Sequence, residues 1–312
     1  MFKLVLGGSK SHWVLHIRTI ELRHIRGGSM ALNRIPMIVG LLACAASADV
    51  LNMPAGQNSL QFVTVGNPGN AADPLPTQDI YSDVPRTGMG TVSYSYQIAT
   101  LKVTWAQWAQ FLNAVAANDT RDLYRYFEQS SDVTRSGVPG SWTDSPVPAQ
   151  ANSAAILQWS DAARFCNWLT NGQPQGSEVN GVTETGSYSI NGHTNDRGLN
   201  MIVRNPNAVF VIPTENEWYK AAYYDQNKAG GPGYWLYPTS SDSPPSNLLD
   251  PIPSPSGTLF QGSDLAEWTE AIGIDPVNSK RICRGGSRFP NADHCVEYGP
   301  SAPSRDPSGS GS

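Results

Sequence analysis

The residues best suited to chemistry are cysteines in the last part of the chain. The chain contains four cysteines, of which Cys283 and Cys295 lie near the C-terminus. A thiolate acts as a nucleophile or as a ligand of a soft metal ion such as Cu(I). His294 adjoins Cys295, and a protonated imidazole there would lower the pKa of the thiol, although a chance adjacency is the simpler explanation. A reactive thiol at Cys295 is therefore one reading of this pair, and a chance adjacency is the other.

An acidic residue beside a tryptophan marks the stretch Gly262–Arg288. Glu267 supplies a hard oxygen ligand of the kind that calcium prefers, and Trp268 supplies a large apolar anchor. Gly285 and Gly286 follow, and because they lack Cβ they permit a turn or a close backbone approach. Without further context, this pattern predicts a strand, a turn and a second strand.

Several familiar catalytic sites are excluded by their motifs. The sequence has no Gly-x-Gly-x-x-Gly, P-loop, His-Glu-x-x-His or Gly-x-Ser-x-Gly pattern. Beyond residue 48 the only histidines are His193 and His294, so a histidine metal site or a Ser-His-Asp triad is hard to build. His193 lies in a polar segment, which predicts a solvated side chain. The net charge of −5 gives no basic footprint for nucleic acid.

The N-terminal part predicts export. We interpret residues 1–29, which are basic and without clear periodicity, as a non-native segment upstream of a true start at Met30. Residues 30–48 combine one positive charge, a short apolar run and an Ala-x-Ala site, the pattern of a signal peptide cleaved after Ala48. The alternative is a lipoprotein acylated at Cys44. Because the apolar run is too short to span a bilayer, we predict a periplasmic or extracellular protein with no transmembrane segment.

Export to an oxidising compartment makes the remaining cysteines informative. Outside the predicted signal peptide, Cys166, Cys283 and Cys295 remain, and their odd number leaves at least one free thiol or an intermolecular partner. Cys166 shares a helix face with small and apolar residues, which favours a core role over a nucleophilic one. A disulfide between Cys283 and Cys295 is one open possibility.

Three helices and several short strands are predicted to position these residues. Helical spacing of apolar residues predicts helices over Trp105–Val115, Asp161–Leu169 and from Glu215 to near Asp225. The predicted N-terminal caps are Thr104, Ser160 and Thr214, the last in a capping box with Glu217. Alternating apolar residues predict strands over 60–65 and 91–98, and a short apolar run predicts one over 209–213. With no heptad or tandem repeat, we predict one domain over residues 55–312.

Taken in order, five segments resemble the formylglycine-generating enzyme, or sulfatase-modifying factor, family. They are Val103-Thr104 with the helix to Asn113, Trp159–Leu169, Ile212–Trp218, Asp264–Thr269 and Arg284–Ser287. Each motif is weak alone, but five in the family's order are specific, and the resemblance covers about residues 60–300. Two further segments, Val65–Asp73 and Tyr234–Thr239, look like a secreted bacterial branch of the family.

The resemblance implies a fold and a metal site. The fold is α+β, a variant of the C-type-lectin-like fold with little regular secondary structure. The metal is calcium at Glu267, with Gln261, Ser263 and Leu265 as nearby oxygen donors. In this sequence Ser263-Asp-Leu-Ala-Glu-Trp268 stands where the family has Gly-Asn-Val-Trp-Glu-Trp, so only the last two residues are kept. The alternative role of Glu267 is a structural hydrogen bond.

The resemblance also implies copper chemistry, which this chain matches only in part. The family's enzymes oxidise a substrate cysteine to formylglycine with oxygen and copper, through two cysteines that follow Gly-Gly-Ser. The first position corresponds to Cys295, but the second corresponds to Pro300, and no cysteine follows Cys295. One thiolate cannot form a linear two-thiolate Cu(I) site. The family's closing Gly-Phe-Arg strand is also missing from the end, which leaves a C-terminal truncation open.

Two functional hypotheses follow from this partial match. In the first, the chain is a secreted module without oxidase activity that binds a protein, peptide or small ligand on a face including Arg284, Ser287 and His294. In the second, it is an active oxidoreductase in which Cys295 works with another thiol, from Cys283 or from the substrate. A different reaction on the same fold is a third reading, since a fold does not fix its chemistry.

Overall fold

The chain contains both α-helices and β-strands, joined by long irregular segments. This mixture agrees with the predicted α+β class. The strands are between two and six residues long. A computed structural model describes residues 1–6, 51, 53, 57–79, 82–125, 131–193, 196–245, 252–262, 265–273, 281–286 and 301–302.

The described strands are short and spread along the chain. In chain order they are β1 (Val5–Leu6), β2 (Phe62–Val65), β3 (Thr77–Asp79), β4 (Ser82–Arg86), β5 (Tyr96–Ala99), β6 (Val133–Ser136), β7 (Thr143–Pro146), β8 (Phe210–Val211), β9 (Tyr224–Asp225), β10 (Gly233–Tyr234), β11 (Glu267–Ile272), β12 (Arg281–Arg284) and β13 (Ser301–Ala302). The predicted strands over 60–65, 91–98 and 209–213 are confirmed as the shorter β2, β5 and β8.

The described residues form four helices, α1 (Trp105–Val115), α2 (Trp159–Thr170), α3 (Asp196–Asn200) and α4 (Glu215–Tyr223). Thr104 caps α1 as predicted, since its Oγ1 accepts from the Gln107 N–H at 3.3 Å. The predicted capping box of α4 is also confirmed. The cap predicted at Ser160 is wrong. The helix begins two residues earlier than predicted, at Trp159, with Gln158 as its N-cap.

The largest sheet has four strands, in the order β2-β5-β1-β8. All three pairings in it are antiparallel, with Val5 opposite Ile98 on one side and opposite Val211 on the other. A second sheet joins β11, β12 and β13, in which β11 and β12 are the two strands that the sequence pattern predicts and pair antiparallel. The other described strands pair as β3-β4, β6-β7 and β9-β10.

The core is dominated by aromatic side chains from α1 and α2. Phe111 packs against Phe165 and Trp168 with ring centroids 5.4 and 5.3 Å apart, and Trp108 lies 6.1 Å from Phe165. Such offset and edge contacts add to the stabilisation that apolar burial provides. Cys166 lies within this core and is fully buried, which confirms its predicted packing role.

The first six residues lie inside the core rather than outside the domain. Phe2, Lys3, Leu4 and Val5 are completely buried, and β1 lies between β5 and β8. The domain start predicted at residue 55 therefore does not describe this sheet. The predicted start at Met30, the signal peptide over 30–48 and the lipoprotein cysteine Cys44 lie outside the described residues and stay predictions.

Candidate functional site

Glu267 is the first residue of β11 and is fully buried. The Trp218 indole, carried by α4, donates a hydrogen bond from Nε1 to Glu267 Oε2 at 3.1 Å. The capping box that starts α4 therefore fixes the helix whose tryptophan reaches this carboxylate. This contact is a structural hydrogen bond, which is the alternative role predicted for Glu267.

Two ammonium groups face the other oxygen of Glu267. Lys3 Nζ and Lys102 Nζ lie 3.6 and 3.4 Å from Glu267 Oε1. Each lysine also donates to a backbone carbonyl, Lys3 to Leu259 at 2.8 Å and Lys102 to Phe260 at 2.7 Å. Burial lowers the pKa of Lys3 to about 8, and Glu267 offsets part of that effect. Glu267 therefore acts as a buried counterion for two cations.

This arrangement does not fit the calcium site that the resemblance implies. Calcium binds oxygens at about 2.3–2.6 Å and gathers six to eight of them. A divalent cation beside Glu267 Oε1 would meet two ammonium charges at close range, with little water to screen them. Among the described residues, no group of three or more His, Cys, Asp and Glu side chains is placed to hold a metal ion. Calcium stays an untested prediction, and no step below depends on it.

Two of the predicted oxygen donors, Gln261 and Leu265, are buried in the described structure. Gln261 Nε2 donates to the Trp218 carbonyl at 2.9 Å, and its Oε1 accepts from the Thr258 hydroxyl. Leu265 is buried. Gly285 has a φ of +97°, and a Cβ there would lie 2.6 Å from the Gln261 carbonyl oxygen. The close backbone approach expected of the two glycines thus occurs at Gly285. Ser263, the remaining predicted donor, lies outside the described residues.

Arg284 is buried and ion-paired rather than presented to solvent. Its Nε donates to Glu215 Oε1 at 2.8 Å, and its side chain is 3% exposed. Arg86 Nη1 binds the other oxygen of Glu215 at 2.6 Å. This placement differs from the ligand-facing role that the sequence predicts for Arg284. The other residues of that predicted face, Ser287 and His294, lie outside the described part of the chain.

A second charge cluster includes Glu217 of α4. Arg204 bridges Glu217 and Glu270, with Nη2–Oε2 and Nε–Oε1 distances of 2.9 Å each. Burial alone would raise the pKa of Glu217, but Arg204 and Tyr94 hold it below its usual value. Tyr188 donates to Glu270 Oε1 at 2.6 Å. Because Arg204 bridges a carboxylate of α4 and a carboxylate of β11, this cluster ties the two elements together.

The described thiols are both buried. Cys166 is a free cysteine, and burial raises its pKa well above the usual value, so a thiolate there is disfavoured. Cys283 lies in β12, is fully buried and is disulfide-bonded to a cysteine outside the described residues. Cys295, the predicted catalytic thiol, is itself outside those residues. Neither described cysteine is thus available as a reactive thiolate.

A cavity of about 170 Å³ lies next to Lys102 and Leu265. Its walls combine apolar side chains, among them Trp105 and Ile156, with polar ones from residues 150–153. Ligand pockets commonly have this mixture, but usually a volume of about 300–1,000 Å³. The cavity therefore suits a single side chain or a small group rather than a large ligand.

Three charged residues that define this region were not predicted from the sequence. Lys102 precedes the Val103-Thr104 motif, and Glu215 lies inside the Ile212–Trp218 motif. Both residues therefore lie in or next to a segment that carries the family resemblance. Lys3 was assigned to a segment upstream of the domain, and no local pattern marks it as a partner of Glu267. Its role depends on a contact between opposite ends of the chain.

Among the residues described, no helix has the length and apolar character needed to cross a membrane.

Comparison with known proteins gives one match. A family model described as a sulfatase-modifying factor enzyme 1-like domain matches residues 62–251, which is more than half of the chain. Three of the five motifs lie inside that range, whereas Asp264–Thr269 and Arg284–Ser287 follow it. Searches of curated proteins and of solved structures returned no match.

Proposed function

Because this chain belongs to the sulfatase-modifying factor family, we propose that it is a non-catalytic member that binds a protein, peptide or small ligand. The proposal takes its fold to be the family's variant of the C-type-lectin-like fold. A module of this kind keeps the framework that positions loops and loses the thiol pair that carries the oxidation.

The observation that carries the proposal is the state of the cysteines. Two thiolates are needed for a linear Cu(I) site, and Pro300 stands where the resemblance places the second cysteine. Cys283 is buried in a disulfide and Cys166 is buried in the core. Any partner thiol for Cys295 would therefore have to be Cys44, come from another molecule or be released by reduction of a buried disulfide.

The cavity beside Lys102 is where we place the ligand contact. Trp105 supplies an aromatic surface at its wall, and Gln150, Asn152 and Ser153 supply polar groups. Together they suit a small polar group attached to a larger ligand. Export through a signal peptide over residues 30–48 is part of the proposal and would expose this module to partners outside the cytoplasm.

A turnover assay tests the proposal. The full chain is mixed with Cu(I), oxygen and a peptide containing Cys-x-Pro-x-Arg, the type of substrate that the resemblance implies, and the peptide mass is followed. We expect no aldehyde, and no change in thermal unfolding on adding copper. A Cys295→Ser variant serves as the matched control and should behave in the same way.

Aldehyde that forms with the parent chain and disappears in Cys295→Ser would overturn the proposal in favour of the active oxidoreductase. Near-ultraviolet circular dichroism of the same samples establishes that both chains are folded. A Cys166→Ser variant then separates a direct role of Cys295 from a general effect of losing a thiol, because Cys166 lies in the core.

A further inference from the structure

The N-terminal strand fills a gap in the largest sheet. In the order β2-β5-β1-β8, the strands on both sides of β1 pair with it, and β5 and β8 are not neighbours of each other. Val5 and Leu6 lie opposite Ile98 and Gln97 on one side and opposite Val211 and Phe210 on the other. Without β1, backbone groups of both neighbouring strands would lose their partners inside the protein.

The gap that β1 fills, here called the seat, is extended to the start of the chain by backbone hydrogen bonds. The Ala99 N–H donates to the Leu4 carbonyl at 2.7 Å, and the Val103 N–H donates to the Phe2 carbonyl at 3.2 Å. The Trp268 N–H donates to the Met1 carbonyl at 2.7 Å. The segment 1–6 is thus held along its length by β5, Val103, β8 and β11, as an added strand would be.

The side chains of this segment enter separate sites. Phe2 is fully buried, with its ring centroid 5.9 Å from that of Phe165 in an edge contact. Leu4 and Val5 are also fully buried, and alternate residues of a strand point to opposite faces of its sheet. The seat therefore selects an apolar residue at positions 2, 4 and 5.

Position 3 is selected by charge. Lys3 Nζ lies 3.6 Å from Glu267 Oε1, and both side chains are fully buried. Among the described residues, Glu267 Oε1 has no hydrogen-bond partner, so its stabilisation comes from the ammonium groups beside it. A buried carboxylate without such a countercharge is strongly destabilising. Glu267 therefore recognises a lysine in the strand that occupies this seat.

We propose that the gap between β5 and β8 is a binding site for an extended peptide of the pattern Phe-Lys-apolar-apolar, and that residues 1–6 are its ligand within the same chain. The residues that form the walls, from Ile98 to Val211, lie inside the range matched to the family, whereas residues 1–6 precede it. The strand is thus separable from the matched domain in sequence. This inference does not rest on the proposed function.

A consequence concerns processing of the chain. Cleavage after Ala48, as a signal peptide predicts, would separate residues 1–6 from the domain. The site would then hold the released strand by non-covalent contacts or take an equivalent strand from another chain. Linkage through residues 7–50 raises the local concentration of the strand without changing its contacts.

Hydrogen exchange of the full-length chain is the first test. We expect the amides of Val5 and Leu6 to exchange as slowly as those of β5, because they belong to the same sheet. Exchange of residues 1–6 at the rate of an unstructured chain, beside protected β5 amides, would overturn the proposal.

Peptide binding in trans is the second test. A full-length Val5→Asp variant weakens the internal strand, and a labelled peptide with the sequence of residues 1–6 is then titrated into it. We expect saturable binding, or recovery of the folded circular dichroism spectrum if the variant is unfolded. The parent chain should bind the peptide much more weakly, because its own strand occupies the site.

A second peptide carrying Lys3→Glu is the matched control. It should bind at least about a hundredfold more weakly, since two buried carboxylates would face each other. Equal affinity of the two peptides would refute recognition by Glu267. If the first peptide neither binds nor restores the Val5→Asp chain, the site does not accept a separate strand and the proposal fails. Neither result bears on copper turnover.

Discussion

Glu267 illustrates how one side chain can serve two different readings. As a carboxylate beside Trp268 it resembles a calcium ligand, whereas in the folded chain it faces Lys3 and Lys102 and accepts from Trp218. An ammonium group and a calcium ion compete for the same oxygen, and a buried pair is costly to separate. Whether Glu267 binds calcium or pairs with the two lysines therefore depends on the balance of charge around its oxygens.

Calcium and a Glu267→Gln substitution test that balance. We expect millimolar calcium, compared with a chelator, to leave the unfolding temperature of the parent chain unchanged. Glu267→Gln should lower the free energy of unfolding by about 3–5 kcal/mol, because it leaves two buried cations without their counterion. A calcium-dependent rise in unfolding temperature that the variant loses would instead support the metal site.

Lys3 predicts a pH dependence of stability. Its pKa falls from 10.5 to about 8 on folding because of burial, with Glu267 and Lys102 as the charged groups facing it. Between these values the unfolded chain holds a proton that the folded chain releases, so the free energy of unfolding rises with pH. From pH 8 to pH 10 this contribution amounts to about 2 kcal/mol.

The matched comparison is with Lys3→Met, which keeps the length of the side chain without its charge. The rise in stability from pH 8 to pH 10, measured by urea denaturation, should be smaller in the variant. Above that range, Tyr96 and Tyr188 act in the opposite direction, because burial raises their pKa values and the unfolded chain loses their protons first. Parallel curves for the two chains would contradict the assignment of Lys3.

At the scale of elements, the caps determine where the helices begin. The Thr104 side chain accepts the Gln107 N–H, and the Gln107 side chain accepts the Thr104 N–H at 3.0 Å. The backbone N–H of Gln158 donates to Asp161 Oδ2 at 3.3 Å at the start of α2. Each reciprocal contact satisfies donors that the first turn leaves open. The start of α1 positions Lys102 at its N-terminal side, beside Glu267.

Thr104→Ala should therefore lower the free energy of unfolding by about 1 kcal/mol through loss of the cap. Ser160→Ala is the matched control, because Ser160 lies inside α2, where alanine is a good helix former. Chemical denaturation of both variants measures the difference. An equal loss of unfolding free energy in the two variants would indicate that Ser160 is the N-cap of α2.

At the scale of the whole molecule, a hydrogen bond and a disulfide add to the packing of the core. Lys3 reaches the carbonyl of Leu259 across 256 positions of the chain, and this contact opposes separation of the N-terminal and C-terminal parts. Cys283 joins β12 to a segment outside the described residues. A disulfide stabilises the folded state mainly by restricting the unfolded chain.

Cys283→Ser should lower the free energy of unfolding by about 2–4 kcal/mol under non-reducing conditions. The same substitution in the presence of a strong reductant should have a much smaller effect, because the parent chain then lacks the bond as well. Cys166→Ser, at a free buried cysteine, provides the control for loss of a core sulfur. A Cys283→Ser effect that is independent of reductant would assign the loss to packing alone.

The sequence by itself determined the local structure of this protein and its family. Helical spacing and cap residues predicted α1 and α4, and alternation predicted β2 and β5, because these patterns depend on neighbours a few residues apart. The burial of Cys166 followed from its position on an apolar helix face. The close approach at Gly285 followed from the absence of a Cβ.

Only the tertiary structure decided what faces Glu267 and Arg284. The partners Lys3, Lys102 and Glu215 come from segments that no local pattern connects. The place of residues 1–6 in the largest sheet is decided in the same way, because strand pairing depends on which edges meet in space. Residue spacing fixes which side of an element a group lies on, whereas long-range packing fixes the charge it meets there.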